Sequence, residues 1–300
     1  MTRWDALDLK GAAPIHRGWS ADQKYRVCDQ VGQRYLLRLS PRDMEPAKAA
    51  EFRMMRRMAA QGIPMSQPIE FGVVTQGVYS LQSWIDGVDA EQAVPALDEG
   101  RQYAHGLAAG HILSRIHAIP APEGTTPWAV TYARKIQKNI EKYHACPQRY
   151  EDGGAFLRFV EANRHCIQDR PSSAQHGDFH LGNMMIDRMD TLTIIDFDRA
   201  GFGDPWEDFR RIPWCAQKSP AFACGMIDGY FEDGVPPAFW RLLALYIAAN
   251  ALGALSWAQP FGEEEMDVIR RQGMDVLQWY DGMENLVPSW YRVYLRTDRG

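Results

Sequence analysis

Two short apolar runs, residues 184–186 and 192–197, interrupt a stretch that is otherwise helical in pattern, and the densest group of polar side chains is attached to them. The segments read QHGDFHLGNMMID over residues 175–187 and LTIIDFDRAGFGDP over residues 192–205. Apolar runs this short, separated by a polar turn, pair as strands. Pairing sets Asn183 beside Asp196, whose carboxylate follows the Ile194-Ile195 pair. Asp178 lies five residues before Asn183 and eighteen before Asp196. An amide oxygen next to a carboxylate suits Mg²⁺, which keeps waters and shares its sphere with phosphates. A further carboxylate outside the metal sphere can orient or deprotonate a hydroxyl. Positioning, neutralisation and a base are what phosphoryl transfer requires.

The rest of the chain frames this hairpin. Residues 25–28 and 34–39 are β-rich around a Gln30-Val31-Gly32-Gln33 turn. A helical pattern follows Pro46, with Phe52, Met55, Met58 and Ala59 on one face, and stops at Gly62 with Pro64 behind it. Residues 69–74 and 78–84 are strand-like again. After Asp86-Gly87 the pattern turns helical, over residues 99–119, 132–143 and 156–167. An uncharged run over 242–258 carries Asn250, Gly253 and Ser256 and reads as a buried helix, too short and too polar for a membrane span. The expected fold is α+β. A small strand–strand–helix–strand–strand lobe spans residues 1–86, and a larger, mostly helical lobe spans 87–300. Residues 84–87 are the hinge.

Composition excludes several classes. Apolar residues are 46% and charged residues 24%, which rules out disorder and collagen-like repeats. The five cysteines are odd in number and form no C-x-x-C pair, against a disulfide framework or a zinc ribbon. The opening MTRWDALDLK has no apolar h-region, so a cytoplasmic protein is expected. The net charge of −5 resides wholly beyond residue 200, where 14 acids face 9 bases. That split argues against nucleic acid as a partner and suits a cationic ligand on the C-terminal part.

H-G-D-x-x-x-x-N followed by I-D-F-D, with G-D-P-W-E-D behind it, resembles the aminoglycoside phosphotransferase and choline kinase-like family. The strand–strand–helix–strand–strand start and GHILSRIHAIP ahead of the catalytic loop extend the resemblance over most of the chain. It implies a bilobal protein-kinase-like fold, with an antiparallel-sheet lobe carrying one main helix and binding the nucleotide over residues 1–86 and a helix-rich lobe over 87–300 holding the catalytic loop, metal site and acceptor site. It also implies an enzyme moving the γ-phosphoryl group of ATP or GTP to an alcohol, with Mg²⁺ as cofactor. Asp178 then matches the catalytic base, and Asn183 and Asp196 the metal ligands. Asp208 matches a structural position, His176 a brace for the loop backbone, and Asp198 a supporting residue. Where the family carries a lysine paired with a helix glutamate, this chain has Arg38 with Glu51. Arginine keeps the charge but presents a planar fork. Ser83, Trp84 and Ile85 match the linker whose backbone meets the nucleobase. The kinase G-x-G-x-x-G is absent, and Gly18-Trp19-Ser20 is the candidate phosphate loop. The implied partners are a nucleoside triphosphate and a small hydroxyl-bearing substrate, with neither nucleic acid nor membrane. Aminoglycoside-type antibiotics come first, which would make the role antibiotic resistance.

Other readings compete. His176, Asp178 and His180 form H-x-D-x-H, a metallohydrolase pattern, but nothing else completes a zinc or dinuclear sphere. Arg38 and the poor phosphate loop suit a non-catalytic nucleotide-binding pseudokinase, against which the intact Asp178, Asn183 and Asp196 count. A kinase of a cellular metabolite of choline, homoserine or sugar type is the third. The methionines and late aromatics, Trp279, Tyr280, Trp290, Tyr291 and Tyr294, read as packing, and Glu263-Glu264-Glu265 as a solvated helix start.

Overall fold

Residues 2–16 and 22–291 are described by a computed structural model, and Gly18-Trp19-Ser20 and Tyr294 lie outside the described residues. Strands β1 (Ala13–Pro14), β2 (Gln23–Cys28), β3 (Arg34–Ser40), β4 (Pro68–Val74) and β5 (Gly77–Ser83) form an antiparallel sheet ordered β1-β2-β3-β5-β4. Strand alternation splits β3 between two environments. Tyr35 and Leu37 join Val27, Tyr79 and Leu81 in a buried cluster, against which Trp4, Leu7 and Ala12 pack. Arg38 and Ser40, two residues apart, share the opposite face and are buried as well. Helix α1 (Glu45–Ala60) carries Pro46 in its first turn and buries Phe52, Met54, Met55 and Met58. Unbranched Met side chains fill such a face without demanding one shape.

The expected hairpin forms, with Met184–Asp187 antiparallel to Leu192–Ile194 and Met184 opposite Ile194. Its second strand ends three residues earlier than the sequence pattern suggests. Asp196 has φ of 65°, a left-handed conformation that no strand continues through. On its other edge, the hairpin pairs with β6 (Gly87–Asp89). Ile194 also bridges to Met65, its N–H donating to Pro64 O at 2.9 Å. These bonds carry residues from late in the sequence into the N-terminal part.

The chain accordingly divides into two compact units that are not two simple halves. The first holds the residues up to Ala93 together with His176–Asp178 and Gly182–Gly201. The second holds Val94–Gln175, Phe179–Leu181 and the residues from Phe202 onward. The boundary expected after residue 86 falls after Ala93 instead, because β6 pairs with the hairpin and keeps Gly87–Asp89 and the short helix Ala90–Ala93 in the first unit.

The second unit is helical. Helices Glu99–His117 and Pro220–Tyr230 approach so closely that a Cβ added at Gly110 would lie 2.4 Å from Met226 O. Helix Pro237–Ala258 meets the length and hydropathy test for a membrane span, yet most of it is buried inside this unit. Asp204, fully buried, accepts from Arg170 Nε at 2.6 Å and Nη2 at 2.9 Å, from Trp206 N at 3.0 Å, and from the Tyr246 hydroxyl. Asp208, equally buried, meets His117 Nε2 at 3.1 Å, with Tyr230 Oη at 2.9 Å from the other ring nitrogen. Tyr280, Trp290 and Tyr291 are buried as packing, and Glu263 opens its helix on the surface. All five cysteines are free thiols.

Candidate active site

The loop before the hairpin is held by its own backbone chemistry. Gly177 has φ of 83°, and a Cβ there would lie 2.0 Å from Arg199 O, so only glycine fits between His176 and Asp178. The Asp178 N–H donates to His176 Nδ1 at 3.2 Å, which leaves the imidazole Nε2–H to donate to Ile195 O at 3.1 Å. His176 thus ties the Asp178 backbone to the residue before Asp196. Asn183 Nδ2 donates to Asp178 O at 2.9 Å, and Ile195 N donates to Asn183 O at 3.0 Å. Asp178, Asn183 and Asp196 are therefore brought together by a short set of backbone bonds. Arg199, absent from the sequence reading, puts Nη1 3.7 Å from Asp178 Oδ1.

Beside them lies a buried charge cluster. Arg38, 4% exposed, forms ion pairs with Asp22 at 2.8 Å, with Asp198, and with Asp196 at 3.5 Å. Glu51 pairs with Lys48 at 3.0 Å, and Lys48 reaches Asp22 at 2.7 Å and Asp198 at 3.5 Å. The expected Arg38–Glu51 pair is thus corrected. Lys48, one helical turn before Glu51, takes its carboxylate, and Glu51 acts on Arg38 through the field. Burial works against the Arg38 charge, but Asp198, Asp196, Glu51 and Asp22 outweigh it and raise its pKa. Among the described residues four carboxylates face two cations here, so the acids outnumber the bases. Burial and then Asp198 push the Glu51 carboxyl up to about 7, with Arg38 and Lys48 opposing.

A divalent cation fits this donor set. Asp196 Oδ1 is buried and has no hydrogen-bond partner among the described residues. Among the described residues no three His, Cys, Asp or Glu side chains form a metal cage, which leaves the oxygen pair of Asn183 and Asp196. That is the incomplete sphere Mg²⁺ shares with water and phosphate. The metallohydrolase pattern fails here, since both ring nitrogens of His176 are engaged with backbone.

The three linker residues are not equivalent. The Ser83 N–H donates to Gln67 O at 2.9 Å and its carbonyl accepts from Ser66 Oγ at 2.7 Å. Trp84 and Ile85 make no backbone hydrogen bond to any described residue, while Trp84 Nε1 donates to Asp86 at 3.2 Å. A cleft of about 400 Å³ beside them is lined by Met65, Trp84, Ile85, Arg188 and Met189, among others. None of Arg38, Asp178, Asn183 or Asp196 lines it.

Asp22 and Lys48 are the cluster members that sequence reasoning missed. The only signal was the position of Lys48 three residues before Glu51 on one helix face.

Residues 11–243 match the model of the phosphotransferase enzyme family. No curated protein matches the chain significantly. Solved structures with the same fold include aminoglycoside phosphotransferase APH(4)-Ia, as a thermostable mutant in ternary complex with ADP and hygromycin B, at 16% identity and TM-score 0.65, covering 92% of this chain and 95% of that one. Amicoumacin kinase hAmiN, in complex with AMP-PNP, Ca²⁺ and Ami, is 13% identical at TM-score 0.67, covering 95% and 93%. A choline/ethanolamine kinase family protein from Mesorhizobium loti is 14% identical at TM-score 0.65, covering 95% and 94%. At these identities the shared property is the fold, α+β and protein-kinase-like.

Proposed function

This chain belongs to the phosphotransferase enzyme family, and on that footing we propose that it moves the γ-phosphoryl group of ATP or GTP to a hydroxyl of a small, cationic molecule. The observation that carries the reading is the backbone-locked set of Asp178, Asn183 and Asp196. Asp178 orients the acceptor hydroxyl and takes its proton as the O–P bond forms. Arg199, 3.7 Å away, pairs with that carboxylate. Asn183 and Asp196 would hold Mg²⁺, which when bound neutralises phosphate charge. Arg38 grips phosphate oxygens, and the backbone of Trp84 and Ile85 meets the nucleobase, with Ser83 keeping the linker in the sheet. The relatives seen with ADP or AMP-PNP support the nucleotide donor.

Aminoglycoside-type antibiotics are the first acceptor class, supported by the surplus of acids beyond residue 200. A resistance role in the cytoplasm follows from that acceptor and from the five free thiols. A metabolite alcohol of choline type is the second class, supported by the Mesorhizobium loti likeness. A coupled nucleotide-turnover assay over aminoglycosides, macrolides, choline and sugars tests both. Turnover with one class and Mg²⁺ is expected. Asn183→Ala and Asp196→Ala should raise the Mg²⁺ requirement and slow turnover. Turnover that survives excess chelator refutes the metal-assisted reading.

A further inference from the structure

Among the described residues, four hydrogen bonds from three side chains converge on one buried carboxylate. Asp22 Oδ2 accepts from Arg38 Nε at 3.1 Å, Arg38 Nη2 at 2.8 Å and Lys48 Nζ at 2.7 Å. Its Oδ1 accepts from Ser40 Oγ at 2.7 Å. Strand β3 supplies Arg38 and Ser40 from one face, and α1 supplies Lys48. A guanidinium edge, an ammonium and a hydroxyl around a single point are the donors proteins present to a phosphate oxyanion. A carboxylate copies the charge and acceptor oxygens of that group. The side chains of Arg38 and Asp22 are each 5% exposed and that of Lys48 13%, so this is an interior site with fixed geometry and not a surface ion pair.

We propose that Arg38, Ser40 and Lys48 form a phosphate-binding site for the nucleoside triphosphate, and that Asp22 fills it in the ligand-free chain as an internal competitor. The inference rests on the nucleotide reading above and adds to it a second cation, a hydroxyl and a competing group. Lys48 keeps partners when Asp22 leaves, because Glu51 lies at 3.0 Å and Asp198 at 3.5 Å. Arg38 likewise stays anchored on Asp198 and Asp196. Exchange of one anion for another therefore leaves the clamp standing. Because Asp22 must vacate first, the apparent triphosphate affinity is the intrinsic affinity reduced by the open fraction.

The test is calorimetric binding of ATP, GTP, adenosine, guanosine and inorganic pyrophosphate to wild type, Asp22→Asn, Asp22→Ala, Lys48→Ala and Lys48→Arg, with a thermal melt of each as folding control. Both Asp22 variants should bind triphosphate and pyrophosphate about tenfold more tightly, the scale of a lost charged hydrogen-bond competitor, with nucleoside affinity unchanged. Lys48→Ala should weaken both phosphorylated ligands about tenfold and leave nucleosides alone, with Lys48→Arg recovering part of the loss. Should Asp22 only brace Arg38, its removal weakens triphosphate binding in a folded protein, and the inference is overturned. Unchanged triphosphate and pyrophosphate affinity in folded Asp22 and Lys48 variants overturns it too, while wild-type ATP binding would keep the nucleotide reading. Pyrophosphate binding that tightens without any nucleotide binding leaves the anion site standing and removes the nucleotide reading.

Discussion

Replacing Asp178 by Asn keeps the side-chain shape and removes its basicity, so the reading of this residue as the base makes a kinetic claim. Asp178→Asn should lower kcat by roughly 10²–10⁴ while nucleotide affinity stays within twofold, because proton acceptance is lost and binding is not. Steady-state kinetics beside calorimetry decides it, and wild-type turnover in the variant removes the assignment. Glu51 makes a second claim, about pH. Its carboxyl titrates near 7 in the ligand-free protein against an ordinary 4.5, from burial first and the Asp198 charge second. The folded state therefore holds a proton that the unfolded state releases between pH 4.5 and about 7. Stability should fall as pH rises through that window and level off above it. Glu51→Gln removes the titrating group, so its Tm relative to wild type should climb from pH 4.5 to 7. A difference independent of pH would show that Lys48, Arg38, Asp22 and Asp198 balance Glu51 fully. Asp178, Asn183 and Asp196 were legible because they lie within nineteen residues and their spacing is local. Lys48 and Asp22 were not, because their meaning depends on β3 and α1 bringing distant segments onto one point.

At the level of elements, periodicity located most of the helices and strands, and departures trace to particular residues. The 192–197 run stops as a strand at Ile194 because of the left-handed Asp196. The 156–167 helix is Gly154–Asn163 followed by a tighter 3₁₀ turn at Arg164–Ile167. Glycine lowers helix propensity, yet Gly106, Gly110, Gly225 and Gly229 form the contact surface between helices Glu99–His117 and Pro220–Tyr230. Gly110→Leu must push Met226 O away from its present 2.4 Å from the Cβ position. Overpacking of this kind costs about 1–3 kcal/mol. For a unit this size it should lower Tm by roughly 2–12 °C. An unchanged melt would mean the helices separate at no cost.

For the whole molecule, the interleaving of the chain has a consequence for dissection. The first unit takes its hairpin from residues beyond 180, and that hairpin pairs with β6 and with the segment around Met65. A fragment of residues 1–93 lacks that hairpin and leaves β6 and the segment around Met65 without the strands they pair with. It should show no cooperative thermal transition by circular dichroism, whereas the full chain should. A cooperative melt of the fragment would show that the five-stranded sheet and α1 suffice alone.

What the sequence determined by itself was everything encoded at short range. That covers the apolar periods of the elements, the hairpin that sets Asn183 beside Asp196, the H-G-D-x-x-x-x-N and I-D-F-D spacing, and hence the family resemblance that residues 11–243 bear out. The tertiary structure alone decided which charges meet. Glu51 went to Lys48, Arg38 to Asp22, Asp196 and Asp198, and Ser83 to Gln67 and Ser66. The physical reason is that periodicity reports which face of an element is buried. The partner of a buried charge is set by how strands and helices from distant segments are packed, since each buried ion must find its counter-ion wherever the fold puts one.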